Sequence, residues 1–358
     1  IKSAVIGCGR MGAFTSQSVK NYSPKSWFPL SHIEALISCP NTNLVSICDK
    51  NPSLLSKAVL QYGIENYFED YHKMLDITKP ELLCIATRTI ERSTIIKDAI
   101  NAGVKAIHLE KPICNSVKQL DEIFSLVKNN DISLTYGTLR RYFDIYNKAK
   151  KIVDSGEIGH LQEIEVNFGQ AQLFWTHPHS VDTILYFAGS RKITSVEASF
   201  SNFILGQEDD LIISDPQIKE ATINFEDSCK GKITTRLGMD VTLYCSGGRV
   251  IVEGDGRRVV VLKLNNSKAY FEFPGEVFIK ENERPEGTMA AILQLVNQLS
   301  PEIIPTKSMP TFDKKHIFNG QRVLFGFAQS YLDQKGPVSL NDIRPSLNIF
   351  GKTGELYA

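Results

Sequence analysis

The chain has 358 residues, enough for two domains of ordinary size and too many for one compact core. Lys plus Arg and Asp plus Glu both number 40, so the formal charge is zero and no surplus field draws the protein to nucleic acid or an anionic membrane. A small neutral or locally anionic ligand is the expected partner.

Seven cysteines, an odd number without a C-x-x-C pair, sit at 8, 39, 48, 84, 114, 229 and 245. Several fall in apolar runs such as Val45-Ser46-Ile47-Cys48 and Leu82-Leu83-Cys84-Ile85. Such placement predicts small buried thiols in a reducing, cytoplasmic setting instead of a disulfide frame or a zinc site. No apolar stretch reaches the roughly 18 residues that span a bilayer, and the chain opens in a strand-like segment without a signal-peptide pattern.

From Lys2 to Tyr136 short apolar runs alternate with helical stretches, the pattern of parallel strands joined by crossover helices. The expected strands are Ala4 to Ile6, Leu44 to Cys48, Leu82 to Ala86, Ala106 to Leu109 and Ile132 to Tyr136. Asn51-Pro52 predicts a capped helix start, Gly103 ends the helix that begins near Glu91, and Ser116 caps the run through Leu126. Beyond Tyr136, Arg140 to Val153 has helical spacing and Gly156 ends it. Period-two alternation then appears in Ile164 to Phe168, Thr222 to Phe225 and Val241 to Tyr244, which predicts a half-covered, mostly antiparallel sheet.

We therefore expect a doubly wound parallel sheet over residues 1–137 and an open-faced α+β domain over 138–358. Helices near 287 to 299 and 312 to 333 return to pack on the first domain or on the sheet. The uncovered sheet face predicts a homodimer or homotetramer.

Gly7-Cys8-Gly9-Arg10-Met11-Gly12 follows a strand-like run directly and precedes a helical pattern, the context in which G-x-G-x-x-G binds a dinucleotide. Gly7 permits a tight turn, Gly9 lets backbone approach a pyrophosphate, and Gly12 allows close helix-strand packing. Asp49 ends the second strand and is placed to accept hydrogen bonds from a ribose diol while repelling a 2′-phosphate, so NAD is favoured over NADP. The separation from Gly12 is longer than the usual ~20 residues. The excess maps onto Thr15 to Ser31, where Ser23-Pro24-Lys25-Ser26-Trp27-Phe28-Pro29 interrupts the first helix.

The order of motifs resembles the glucose-fructose oxidoreductase, inositol dehydrogenase and rhizopine-catabolism (Gfo/Idh/MocA) family. It runs from Gly7 to Gly12 and Asp49 through Ala86-Thr87, Glu110-Lys111-Pro112, Arg140-Arg141-Tyr142-Phe143 and Gly156-Glu157-Ile158-Gly159 to His179-x-x-Asp182. The resemblance implies hydride transfer between NAD(H) and a secondary alcohol of a sugar, sugar acid, cyclitol or nucleotide sugar. Lys111 and His179 are the implied catalytic residues, and Thr87, Glu110 and Lys111 join Gly7, Gly9, Arg10, Met11, Gly12 and Asp49 at the cofactor.

A neutral imidazole suits removal of the hydroxyl proton, and an ammonium stabilises alkoxide character. Asp182, Arg141, Trp175 and His177 are the expected substrate contacts. Family members commonly read Asp-x-Gly-x-His-x-x-Asp; here Trp175 stands at the first Asp, to stack on a sugar face or to join the core. Arg140 and Arg141 either clamp an anionic group or are ordinary charge at a helix start. His177-x-His179 with Asp182 lacks the further ligands of a metal centre, and no metal is expected. Two other readings keep the cofactor: glycoside cleavage or epimerisation through transient oxidation, and a non-catalytic NAD sensor.

Overall fold

A computed structural model of the chain describes residues 1–264, 276–279, 286–301 and 314–350. It divides into two units: Ile1–Tyr142 with the described part of Glu283–Phe318, and the described part of Phe143–Asn282 with that of Asn319–Lys352.

The first unit alternates strand and helix. Its elements are β1 (Lys2–Ile6), α1 (Gln17–Tyr22), α2 (His32–Ser38), β2 (Asn43–Cys48), α3 (Pro52–Tyr62), β3 (Tyr67–Phe68), α4 (Tyr71–Thr78), β4 (Leu82–Ile85), α5 (Thr89–Asn101), β5 (Ala106–Leu109), α6 (Val117–Asn129) and β6 (Ser133–Tyr136). The sheet order is β3-β2-β1-β4-β5-β6, every pair parallel. β4 and β5 are buried throughout, as expected of strands covered on both faces.

The punctuation read from sequence has local causes. Asn51 accepts from the backbone of Ser53 and Leu54 ahead of Pro52. Ser116 and Gln119 form a capping box that starts α6, and Gly103 takes φ +93° just beyond α5.

The register brings the carboxyl ends of the strands level. Ile6 pairs with both Cys48 and Ile85, Ile85 with Leu109, and Leu109 with Tyr136. The residue after each strand donates its N–H to the last carbonyl of a neighbour: Gly7 to Cys48 at 2.8 Å, Ala86 to Ile6 at 2.8 Å, Glu110 to Ile85 at 3.0 Å and Gly137 to Leu109 at 2.9 Å. Five loops therefore leave one edge of the sheet together, and the order reverses between β2-β1 and β4, where α/β folds bind ligands.

The first crossover is unusual. Gly9 to Phe14 make one helical turn, with Ala13 N–H donating to Gly9 O at 2.8 Å. The chain then leaves, and the turn is resumed at α2: His32 N–H donates to Met11 O at 2.8 Å and Ile33 N–H to Gly12 O at 2.9 Å. The Thr15 to Ser31 segment is thus spliced into a helix whose hydrogen-bond ladder continues across it. Ser31 caps the resumed helix by accepting from Glu34 N.

The second unit contains α7 (Asp144–Asp154), β7 (Leu161–Asn167), α8 (His177–Ala188), β8 (Ile193–Ser201), β9 (Leu211–Ile212), β10 (Gln217–Phe225), β11 (Lys230–Thr234), β12 (Asp240–Cys245), β13 (Gly248–Glu253), β14 (Arg258–Lys263) and β15 (Glu276–Ile279). Its eight-stranded sheet runs β15-β14-β13-β12-β7-β11-β10-β8 and is antiparallel except for β11 beside β7. α7 lies against β13 and β14, and α8 against β7 and β11. Gly231 on β11 lets α8 approach, since a Cβ there would sit 2.3 Å from Ile184 Cγ2.

α9 (Thr288–Leu299) belongs to the first unit and packs on α2, β5 and β6. The next helix, α10 (Lys314–Asp333), runs beside Val181 and Leu185 of α8 and Val196 of β8 from Gly320 onward. The first two residues of the expected 312 to 333 helix lie outside the described residues. β16 (Asn348–Ile349) pairs with β9.

One helix differs from the expectation. Arg140–Tyr142 is a separate 3-10 turn, and α7 starts only at Asp144, because Phe143 is extended at φ −78°, ψ 129°. The Phe143 ring is 2% exposed, so burying it fixes the break where residue spacing alone would run a helix through. All seven cysteines are buried thiols. Among the described residues no helix is long and apolar enough to cross a membrane.

Candidate active site

At the carboxyl edge of the first sheet the three glycines have separate tasks. Gly7 has φ +97°, and a Cβ on it would lie 2.7 Å from the Ala86 carbonyl carbon. A Cβ on Gly12 would fall 1.7 Å from Gly7 O. Both are imposed by packing. A Cβ on Gly9 would meet nothing within 4 Å, so the open side of the loop is at Gly9, with Arg10 and Met11 half-buried beside it.

Asp49 follows β2. Its Oδ2 accepts from Cys8 N at 2.6 Å and its Oδ1 from Asn51 N at 2.8 Å. Each carboxylate oxygen retains further lone-pair capacity, so the group can tie the glycine loop and still accept from a diol. Cys8 is not a nucleophile in this setting: burial, reinforced by Asp49, pushes its thiol up to about 12. These residues fit a dinucleotide, with an open glycine backbone for the pyrophosphate and a carboxylate one strand away for the ribose.

Glu110-Lys111-Pro112 leaves β5, with a cis peptide between Lys111 and Pro112. Lys111 is half-buried, and Glu110 is 5% exposed. The Glu110 carboxylate lies against Gly137, where a Cβ would come within 2.9 Å of both oxygens. His32 Nε2 is 3.1 Å from Glu110 Oε1, and the His32 ring meets His108 edge-on with centroids 4.8 Å apart. His108 Nδ1 is 3.0 Å from Thr135 Oγ1.

Burial pushes the Glu110 carboxyl up, but the His32 hydrogen bond and the electrostatic pull of His32 and Lys111 outweigh it and hold it well below the usual carboxylate range. His108 goes the other way. Desolvation, aided by His32, lowers it to about 3, so it is neutral. His32, His108 and Glu110 bring ligating atoms within 4.8 Å of one another, a grouping that their spacing in sequence does not announce. One Glu110 oxygen is engaged by His32 there, while His32 Nδ1 and His108 Nε2 are buried without a hydrogen-bond partner.

Beneath the same loops lies Arg92 of α5, 3% exposed. Its Nη1 donates to Glu110 O at 2.7 Å and to Pro112 O, and its Nη2 donates to Thr87 O. Burial lowers its pKa to about 10, which leaves it charged at neutral pH. His32, Arg92, His108 and Thr135 were not foreseen as site residues. His108 was legible as part of a strand, but nothing local ties residues 32 and 92 to residue 110.

Arg140 and Arg141 close the first unit. They are 9% and 3% exposed, which does not suit ordinary solvated charge at a helix start.

In the second unit the remaining candidates gather at the start of α8. Trp175 is half-buried in the turn before the helix, whereas its neighbour Phe174 is the core residue at 0% exposure. Asp215 holds this turn, accepting from Phe174 N at 2.8 Å and Trp175 N at 3.1 Å. His177 and His179 therefore stand in the first turn of a helix, not on a strand, and point to different sides of it.

His177 is fully buried, with Nδ1 3.0 Å from Ser180 Oγ, and desolvation lowers it to about 4. That makes it a structural imidazole of the helix base. His179 is half-buried and shares a helix face with Asp182, three residues on and 5% exposed. Thr183 Oγ1 donates to the His179 carbonyl at 2.8 Å.

Comparison with known proteins places this architecture. Residues 1–138 match the family model described as "GFO_IDH_MocA: Oxidoreductase family, NAD-binding Rossmann fold". The scyllo-inositol 2-dehydrogenase (NAD(+)) of Bacillus subtilis is 26% identical over 159 residues, 44% of this chain and 42% of that protein. The inositol 2-dehydrogenase/D-chiro-inositol 3-dehydrogenase of Lactiplantibacillus plantarum is 31% identical over 121 residues, 33% of this chain and 34% of that protein. These matches span less than half the length of the curated relatives.

The whole fold is shared more widely. An oxidoreductase from Agrobacterium radiobacter, solved with NAD+, L-tartaric acid and magnesium, aligns over 96% of this chain and 99% of its own, with TM-score 0.69 and 16% identity. The N-terminal 138 residues are thus similar to the NAD-binding Rossmann domain of the Gfo/Idh/MocA oxidoreductase family.

Proposed function

We propose that this protein is an NAD-dependent oxidoreductase that oxidises a secondary alcohol of a sugar, sugar acid, cyclitol or nucleotide sugar with NAD+ and, in reverse, reduces the corresponding ketone with NADH. The observation that carries the reading is the convergence of an open glycine loop, Asp49 and Lys111 on one edge of a parallel sheet, at its reversal of strand order. The inositol dehydrogenases it resembles in sequence supply the polyhydroxylated substrate class.

Gly9, Arg10 and Met11 would receive the pyrophosphate, Asp49 the adenosine ribose, and Thr87, Glu110 and Lys111 would flank the nicotinamide end. When bound, the dinucleotide supplies a hydride acceptor. The chain's own residues do the rest. Lys111 binds the reacting hydroxyl oxygen and stabilises its developing negative charge, and His179 takes its proton. Asp182, Arg141 and Trp175 orient the polyol, and His177 supports them from inside α8. The carboxylate of Asp49 favours NAD over NADP.

For the second unit we propose self-association into a dimer or tetramer. One transverse row of its sheet, Glu197, Thr222, Lys232, Glu165, Thr242, Ile251 and Val260, lies on the face opposite Gly231 and α8; Glu165 and Thr242 at its centre are buried and the other members are half-buried. Light scattering on the purified protein decides it.

The test of the reaction is direct. Purified protein mixed with NAD+ and a panel of inositols, aldoses, sugar acids and nucleotide sugars should generate NADH absorbance with at least one. Lys111→Ala should then lower kcat by about 10²–10⁴-fold, the usual contribution of an acid-base group. Full turnover by that variant would remove Lys111 from the mechanism.

A further inference from the structure

Arg92 occupies a position that costs stability twice. It lies in the first turn of α5, where the partial positive charge of the helix terminus opposes a cation, and it is 3% exposed. Its hydrogen-bond partners are not carboxylates. They are three backbone carbonyls: Thr87 O in the loop after β4, and Glu110 O and Pro112 O on either side of Lys111. Nε, the remaining arm of the fork, is buried without a hydrogen-bond partner.

A buried cation spent on neutral acceptors fits a demand for geometry over charge neutralisation. The planar guanidinium has five donors in a fixed array, so carbonyls that bind it are locked relative to one another as well as to the helix. Two of the three bracket the single residue Lys111. The third belongs to Thr87, the neighbouring loop on the carboxyl edge of the sheet. The side chain before Lys111 is fixed independently, through His32 and Glu110.

We propose that Arg92 is a positioning residue: it sets the backbone on both sides of Lys111 and ties that segment to the Thr87 loop, so that the ammonium is presented at one place. This rests on the reading of Lys111 as catalytic. Arg92 itself touches neither the substrate nor the reacting atoms.

Arg92→Lys retains the charge but offers three donors from one tetrahedral nitrogen, which cannot span carbonyls arranged around a planar fork. Arg92→Gln retains two donors without the charge. Both are compared with the parent and with Lys111→Ala, using circular dichroism and NADH fluorescence to confirm folded, cofactor-binding protein. We expect Arg92→Lys to lose about tenfold or more in kcat with the NADH dissociation constant changed by less than about threefold, because small misplacement of a reacting group is costly. In the Lys111→Ala background the same substitution should change turnover by less than about twofold, since two residues acting as one unit are not additive. Equal losses in both backgrounds, or an Arg92→Lys enzyme as active as the parent, would overturn the proposal.

A second readout needs no substrate. Limiting acetic anhydride labels lysines according to their reactivity, read by mass spectrometry, and Lys118 on α6 serves as the exposed internal standard. The Lys111 to Lys118 ratio should shift by about threefold or more in either Arg92 variant, the range expected when a lysine's surroundings change. An unchanged ratio in a folded variant defeats the proposal, as does failure of both variants to fold, which would make Arg92 a purely structural residue. If Lys111→Ala keeps full turnover, the function reading fails instead, and the labelling ratio still decides whether Arg92 sets Lys111.

Discussion

The two units support their proposed catalytic groups by different means. Lys111 stands on a buried polar scaffold drawn from α2, α5, β5 and β6: His32, Arg92, His108 and Thr135, with Glu110 as the junction. His179 stands on local structure, the first turn of α8, with the preceding turn anchored by a single carboxylate, Asp215. The first arrangement stores stability in polar contacts that no side chain can leave without exposing a partner to an apolar interior. The second relies on helix geometry, which tolerates changes at half-buried positions. Substitutions in the scaffold under Lys111 should therefore lower stability as well as activity while the protein still folds, whereas those around His179 should lower activity at little cost in stability.

The largest effect that tests this contrast is on stability. His32→Ala removes the hydrogen-bond partner of a carboxylate that is only 5% exposed, and should cost about 1–3 kcal/mol, the penalty for leaving a buried acceptor unsatisfied. His179→Ala should cost about 1 kcal/mol or less, typical of a half-exposed site. Urea titrations of the two variants measure the difference, and similar losses would dissolve the distinction between the two kinds of support.

Acid sensitivity gives a smaller effect, present in both units. His108 is lowered to about 3 and His177 to about 4, each chiefly by desolvation. An imidazole held neutral in the folded protein takes up its proton first in the unfolded chain. The unfolded state therefore binds more protons below the ordinary histidine value of about 6.5, and stability falls as the pH drops from there towards the folded value, by at most about 1.4 kcal/mol per pH unit for each group. The window runs from about 6.5 down to about 3 for His108 and to about 4 for His177.

Glu110 adds to the acid limb lower down. Its folded value is depressed, so its contribution is complete above the ordinary carboxylate range and is lost only as the pH falls through the folded value. His108→Gln and His177→Gln should each flatten the fall of unfolding free energy between pH 6.5 and 4.5, measured against the parent's own slope. A slope unchanged by either substitution would mean that the imidazole becomes charged without cost.

This division also explains what was legible in the sequence. Elements with a local cause were read correctly: the strands of the first sheet from continuous apolar runs, α6 from Ser116, α3 from Asn51-Pro52, and the spliced first helix from the two prolines within Ser23 to Pro29. His179 and Asp182 were paired by a spacing of three, which a helix converts into a shared face. What escaped depends on tertiary contact. His32 and Glu110 are 78 residues apart and Arg92 meets the Pro112 carbonyl across 20, so neither partner's neighbourhood signals the other. The break at Phe143 escaped for the same reason, because burial of its ring decides it. β3, two residues long, carries no period at all.

The glycine loop applies the same contrast within three residues, and yields the smallest and cleanest prediction. Gly7 and Gly12 are required by the protein itself, one by its positive φ and both by backbone atoms closer than 3 Å to any Cβ. Substituting either would damage the fold and say nothing about a ligand. Gly9 is different, because a methyl group there meets no protein atom within 4 Å and its φ lies outside the left-handed region. Gly9→Ala should therefore leave the melting temperature within a degree or two of the parent, about the change expected of a surface substitution. A pyrophosphate resting on the loop would collide with the new methyl group, and NADH binding should weaken by about tenfold, roughly 1.4 kcal/mol. Fluorescence titration against NADH, read beside the melting curve, separates the two effects. Unchanged NADH affinity in a stable variant would mean that the open side of the loop faces something other than the cofactor, and the glycine spacing would then be a packing device alone.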